Sequence, residues 1–117
     1  MNVAQLAASL QNEALRRGYM PRVEVLDHSV NLIKARLHIA LELFIQIYRN
    51  DRFDTTNFAL IYNAQRLYGR DQVAGQWHPH TLDQPASHDD SAEGRRVVDL
   101  PEFLDEVESI LAALGLP

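Results

Sequence analysis

The sequence predicts an α+β fold: an antiparallel β-meander of four to five strands, with an N-terminal helix and a C-terminal helix packed on the apolar sheet face. Three observations predict it. Ile33, Ala35, Leu37 and Ile39 alternate with Lys34, Arg36 and His38 without a break, as in a strand with one buried face. The alternation resumes with Ile45 and Ile47 against Gln46 and Tyr48. Finally, Leu100, Phe103, Leu104, Val107, Ile110, Leu111 and Leu114 recur at helical spacing, which makes a stripe to lay across that sheet.

Asn2 to Arg17 reads as the first helix. Val3, Leu6, Ala7, Leu10 and Ala14 form its stripe. Asn2 and Gln5 are spaced as a capping pair, and Gly18 is placed to stop the helix. Tyr19 to Pro21 links it to a short strand, Arg22 to Leu26, and Asp27 to Ser29 supplies a turn.

The stretch from Ile33 to Arg49 also fits a helix, because Val30, Ile33, Leu37, Ala40, Leu41, Phe44 and Tyr48 fall at helical spacings. A helix would leave Ile39 and Ile45 on its flanks, whereas a hairpin buries both. Matching faces places Leu37 opposite Ile45 and Ala35 opposite Ile47, with Ala40, Leu41 and Glu42 in the loop. Lys34 then meets Tyr48, and Arg36 meets Gln46. Glu42 takes the left-handed position usually given to glycine.

Asn50 to Asn57 is polar and reads as a loop, and Phe58 to Tyr62 as a strand. Asn63 and Ala64 make a two-residue turn. Gln65 to Arg70 returns with Arg66, Tyr68 and Arg70 on one face. Residues 71–98 contain three of the five histidines and no periodicity, so they read as a histidine-rich loop. Asp99 caps the closing helix with Glu102, Pro101 is tolerated in its first turn, and Gly115 ends it.

The 117 residues suffice for one domain, 1–117, and are 46% hydrophobic. That content calls for a core. There is no cysteine, which excludes a disulfide framework and a thiolate metal site. No run of apolar residues is long enough to cross a membrane, and the N-terminus lacks the layout of a secretion signal, so a cytoplasmic location is expected. The net charge of −5 is uneven: residues 22–70 carry seven Lys/Arg against five Asp/Glu, and residues 71–117 carry two against ten. That balance argues against a general nucleic-acid binder but leaves room for a local basic site. The acidic half serves solubility or a basic partner.

Two constellations could carry chemistry. Trp77, His78, Pro79 and His80, with His88 behind them, place two imidazoles on one side of extended backbone. They form an ordinary rigid loop, a proton-transfer or phosphate-contacting group, or with His88 a metal site. Trp77 reads as the hydrophobic anchor of that loop. The second is a cationic sheet face: Lys34, Arg36, His38, Arg66 and Arg70, interleaved with Tyr48 and Tyr68. It is either a solvated face with protective charges or a surface with charge for phosphates and rings for bases. Lys34 is the only lysine; beside Arg36 it could stabilise charge on a phosphorane. No glycine-rich phosphate loop, nucleophile elbow or zinc-protease helix motif is present, and no cofactor is implied.

Ile33-Lys34-Ala35-Arg36-Leu37, Phe44-Ile45-Gln46-Ile47-Tyr48, Phe58-Ala59-Leu60-Ile61 and Arg66-Leu67-Tyr68-Gly69-Arg70-Asp71 stand in a suggestive order. Trp77-His78-Pro79-His80 and Leu100-Pro101-Glu102-Phe103-Leu104 follow them. In this order the chain resembles the TumE-like family of small prokaryotic toxins from toxin–antitoxin modules, over most of residues 22–114. The resemblance implies a cytoplasmic toxin that acts on RNA in a ribonuclease-like manner, restrained by a cognate antitoxin. It carries Lys34, Arg36, His78, His80 and His88 as site residues. Leu41-Glu42-Leu43 departs from the Asp-Gly-Ser usual in that family, and its histidine segment is often denser. Two alternatives stand beside it, a non-catalytic protein-binding module of a small prokaryotic regulatory pair and a histidine metal-binding protein; a homodimer is a further expected partner arrangement.

Overall fold

A computed structural model describes residues 1–19, 22–73, 76–80 and 97–116 (in 76–80, the backbone and the Trp77 side chain). The chain runs α1 (Val3–Arg17), β1 (Arg22–His28), β2 (Leu32–Ala40), β3 (Leu43–Asn50), β4 (Thr55–Tyr62), β5 (Gln65–Val73), β6 (Gln76–His80) and α2 (Leu100–Leu114). The strands form one antiparallel sheet in sequence order, β1 to β6. The fold is the expected α+β meander with helices at both ends of the chain.

Both helices obey their capping signals. Asn2 and Gln5 form a reciprocal capping box and Gly18 closes α1 at φ 68°. Asp99 and Glu102 do the same for α2, which Gly115 closes at φ 69°. Left-handed backbone of this kind carries no Cβ penalty at glycine. The central stretch is a hairpin, with Leu37 paired to Ile45, Ala35 to Ile47, Lys34 to Tyr48 and Arg36 to Gln46. Glu42 takes φ 57°. The turn is tighter than the three-residue loop expected, because the register shifts after His38 and pairing ends at Ala40 with Leu43. Asn63 and Ala64 make the next turn, at φ 50° and 63°.

Several boundaries differ from the sequence reading. β1 continues through Asp27 and His28, where a turn was expected, and β4 begins at Thr55 rather than Phe58. The largest difference lies in the histidine segment: Asp71 to Val73 extend β5, and Gln76 to His80 form a sixth strand. Its pairing onto the β5 edge, Asp71 with His78 and Gly69 with His80, supplies order that side-chain periodicity does not announce.

Both helices cover the same side of the sheet. Ile33, Ala35, Leu37, Ile45, Ile47, Phe58 and Leu60 are fully buried there with Leu6, Leu10, Phe103, Leu104 and Val107. Phe103 lies between Phe58 (5.3 Å between ring centroids) and Tyr68 (5.8 Å, stacked). Trp77 is buried beside Phe58 at 6.0 Å, so it does anchor its segment. Among the described residues no helix covers the opposite side of the sheet, where Lys34 and Arg36 lie.

Candidate functional site on the uncovered sheet face

The uncovered face is assembled by strand alternation. Lys34, Arg36 and His38 of β2 face the same way as Phe44, Gln46 and Tyr48 of β3 and Asn57, Ala59 and Ile61 of β4. Cross-strand register arranges them in transverse rows. One row runs Lys34, Tyr48, Asn57, Asp71 and His78; the next runs Arg36, Gln46, Ala59, Gly69 and His80.

The cations on this face differ in their partners. Glu24 stands across from Arg36 and Asp27 across from Lys34, and the charges of Arg22 and Arg36 act on the Glu24 carboxyl. The Cζ of Arg36 lies 4.8 Å from the centroid of the Phe44 ring, and its Nε is buried without a hydrogen-bond partner. His38 Nε2 lies 2.9 Å from Glu24 Oε1, a contact that holds the Glu24 carboxyl below its usual range. Arg66 Nη2 donates to Asp71 Oδ1 at 2.8 Å, and Asn57 Nδ2 donates to the same oxygen. A cleft of about 380 Å³ opens at the turn end of the patch, lined by Arg22, His38 and Phe44 with the hairpin residues 39–42. Its volume falls in the ~300–1,000 Å³ range of small-ligand sites.

Two residues expected on this face are on the other one. Pairing shifts between Leu60 with Tyr68 and Ile61 with Arg66, leaving Leu67 as the extra residue of a β-bulge. The bulge inverts the alternation: Arg66 emerges on the uncovered face, while Tyr68 and Arg70 turn to the helix side. Arg70 is buried and donates to Glu106 Oε2 at 2.6 Å and to Tyr68 Oη at 3.1 Å. Burial, reinforced by the Glu106 charge, pushes the Tyr68 hydroxyl up to about 12. Both residues therefore belong to the packing between β5 and α2.

The histidines and the lysine are not neighbours. β2 and β6 are separated by three strands, which is about 19 Å at the usual spacing of ~4.8 Å. Lys34 and His78 share a row but cannot act on a single phosphate. His88 lies outside the described residues, as do Asp83, Asp89, Asp90 and Glu93. Among the described residues no group of three or more His, Cys, Asp or Glu side chains is placed to hold a metal ion. No described helix is long and apolar enough to cross a membrane.

Sequence reasoning missed three features of this face. Arg22 and Phe44 join the patch because β1 and β3 flank β2, and Asp71 ties down Arg66. Alternation in Arg22-Val23-Glu24 and in Leu43-Phe44-Ile45 already assigned the first two to this side; the Asp71 contact depends on the bulge. Comparison with models of protein families, with curated proteins and with solved structures finds no match.

Proposed function

We propose that this chain is an RNA-directed, toxin-like protein whose uncovered sheet face holds a single-stranded RNA, with a cognate antitoxin as its restraint. One observation carries this reading: Arg22, Lys34 and Arg36, which outnumber Glu24 and Asp27 across from them, stand beside Tyr48 and Phe44 on a face that no described helix covers. Clustered cations bind phosphates, and adjacent rings accept unpaired bases. Lys34 and Arg36 position the backbone. His78 and His80 lie at the far edge, in the rows that start from Lys34 and Arg36, and are assigned proton transfer during phosphodiester cleavage. Cleavage therefore occurs at the β6 edge, several strands from the lysine, and Lys34 binds rather than catalyses.

The test is expression in a bacterium. Wild type arrests growth and degrades RNA; Lys34→Ala combined with Arg36→Ala, equally folded and abundant, does neither. Arrest by that double variant at the wild-type level would end the proposal. Equal toxicity of His78→Ala with His80→Ala would remove the histidines from the chemistry.

The β1 edge supports a second function, capture of a partner chain without catalysis. β1 is the outer strand of the sheet, and Val25 and Leu26 on it are 48% and 42% exposed. Such an edge accepts an added strand. A stoichiometric complex with the product of the adjacent reading frame, formed without RNA cleavage, would favour it.

A further inference from the structure

His38 stands at the turn end of the uncovered face, between Arg22 of β1 and Phe44 of β3, which pair with it on either side. Its ring lies 5.8 Å from that of Phe44 and borders the cleft of about 380 Å³. Glu24 holds it from the β1 side, with Nε2 2.9 Å from the carboxyl oxygen. The Glu24 carboxyl, held below its usual range by that contact, is ionised at neutral pH and only accepts hydrogen bonds. Nε2 therefore carries the proton, and Nδ1 of the neutral ring keeps its lone pair. Glu24 is the hydrogen-bond partner of this ring among the described residues, and Nδ1 has none there. A histidine oriented by an acid in this way is the arrangement of a general base.

The cations beside His38 are placed to present a phosphate to it. Arg22 lines the same cleft. Arg36 pairs across to Gln46, but its Cζ lies 4.8 Å from the ring centroid of Phe44 in the next row. The guanidinium therefore leans toward His38, the next residue on this face of the strand, about 7 Å away by strand rise. Glu42 is the carboxylate among the residues lining the cleft, set against Arg22 within it and Arg36 beside it. His78 and His80 cannot serve a phosphate here, because three strands separate β6 from β2. Resting on the RNA-binding reading above, we propose that His38, oriented by Glu24, is a catalytic base at a second reacting position, where Arg22 and Arg36 hold an RNA phosphate. The ribose 2′-hydroxyl gives its proton to Nδ1, and its oxygen bonds to phosphorus. The bond from phosphorus to the 5′ oxygen breaks. That oxygen takes a proton from water, and the hydroxide left behind is neutralised by the proton that Nδ1 releases. The products are a 2′,3′-cyclic phosphate and a 5′-hydroxyl.

The experiment follows cleavage of a short end-labelled single-stranded RNA by the protein carrying His78→Ala and His80→Ala, so that the far edge cannot react. This double variant is expected to cut the RNA and to spare the same strand in DNA, which lacks the attacking hydroxyl. Adding His38→Ala should lower the rate about 10²- to 10⁴-fold, with RNA affinity and melting temperature unchanged. Imidazole in solution should then restore part of the rate, which it would not do for a merely structural ring. Glu24→Ala removes the positioning residue and should lower kcat with KM unchanged. The catalytic role is overturned, while RNA binding stands, by any of four results: no cleavage by the double variant, cleavage of the DNA strand, an undiminished rate after His38→Ala, or a loss that imidazole does not restore. An unchanged kcat in Glu24→Ala overturns the orienting role of Glu24. If wild type binds no RNA, the RNA-binding reading falls and this role falls with it.

Discussion

The two faces of the sheet use their basic residues in opposite ways. On the helix side, each buried guanidinium is surrounded by acceptors. Arg17 pairs with Glu13, Asp105 and Glu108. Arg49 is bound by Asp51, Asp54, Thr56 and Gln72, and Arg70 by Glu106 and Tyr68. On the uncovered side, Arg66 pairs with Asp71, while Arg22, Lys34 and Arg36 outnumber the carboxylates across from them, Glu24 and Asp27. Desolvating a charge requires a partner, so the covered arginines serve packing: Arg17 ties α1 to α2, Arg70 ties β5 to α2, and Arg49 ties β3 to β4, β5 and the turn before β4. A charge in water requires none, and Lys34 is exposed. Net charge alone would hide this difference, since the chain is acidic overall.

That contrast can be broken at several points. Phe103→Ala should have the largest effect, about 3–5 kcal/mol of stability by chemical denaturation, because it empties the space between Phe58 and Tyr68. Glu106→Ala should cost about 3 kcal/mol, by removing the carboxylate that Arg70 was buried to meet. Neither should change the RNA affinity of the protein that remains folded.

The ionisations sharpen the contrast. Hydrogen bonds from Arg16, then Arg17, hold the Glu13 carboxyl down at about 2 against the effect of burial. A depressed carboxylate stabilises above its unfolded value near 4.5 and loses that contribution as pH falls toward 2. Glu13→Gln should therefore be less stable at neutral pH and flatter in its acid limb. Tyr68 has the opposite sign: raised to about 12, its neutral form stabilises fully below pH 10, and the contribution disappears as pH rises through 12. Tyr68→Phe should flatten the alkaline limb of a pH–stability curve. The smallest effect belongs to the uncovered face: Lys34→Ala should change stability by no more than about 0.5 kcal/mol.

The sequence carried the sheet's pattern further than its interruptions. Strict alternation from Ile33 to Ile47 encodes the hairpin register, because a slip by one residue would expose every isoleucine in it. Capping pairs at Asn2/Gln5 and Asp99/Glu102 encode both helix starts. Bulges have no such signal. The extra residue at Leu67 cannot be read from Arg66-Leu67-Tyr68, and it alone decides that Arg66 faces outward while Arg70 is buried. The sixth strand was also hidden, since Gln76 to His80 has little apolar alternation and owes its place to main-chain pairing with β5. Of the candidate site, Lys34, Arg36 and Tyr48 were legible from alternation. The separation between Lys34 and the histidines depends on strand order across the whole sheet, which local pattern does not contain.

The central claim is that the uncovered face, and not the helix layer, is where this protein meets its ligand. Titrating isotope-labelled protein with a short single-stranded RNA and following its backbone amide resonances tests it directly. The account predicts shifts concentrated at Lys34, Arg36, Phe44 and Tyr48, with those of α1 and α2 unmoved. Shifts confined to the helices, or none at saturating RNA, would contradict it.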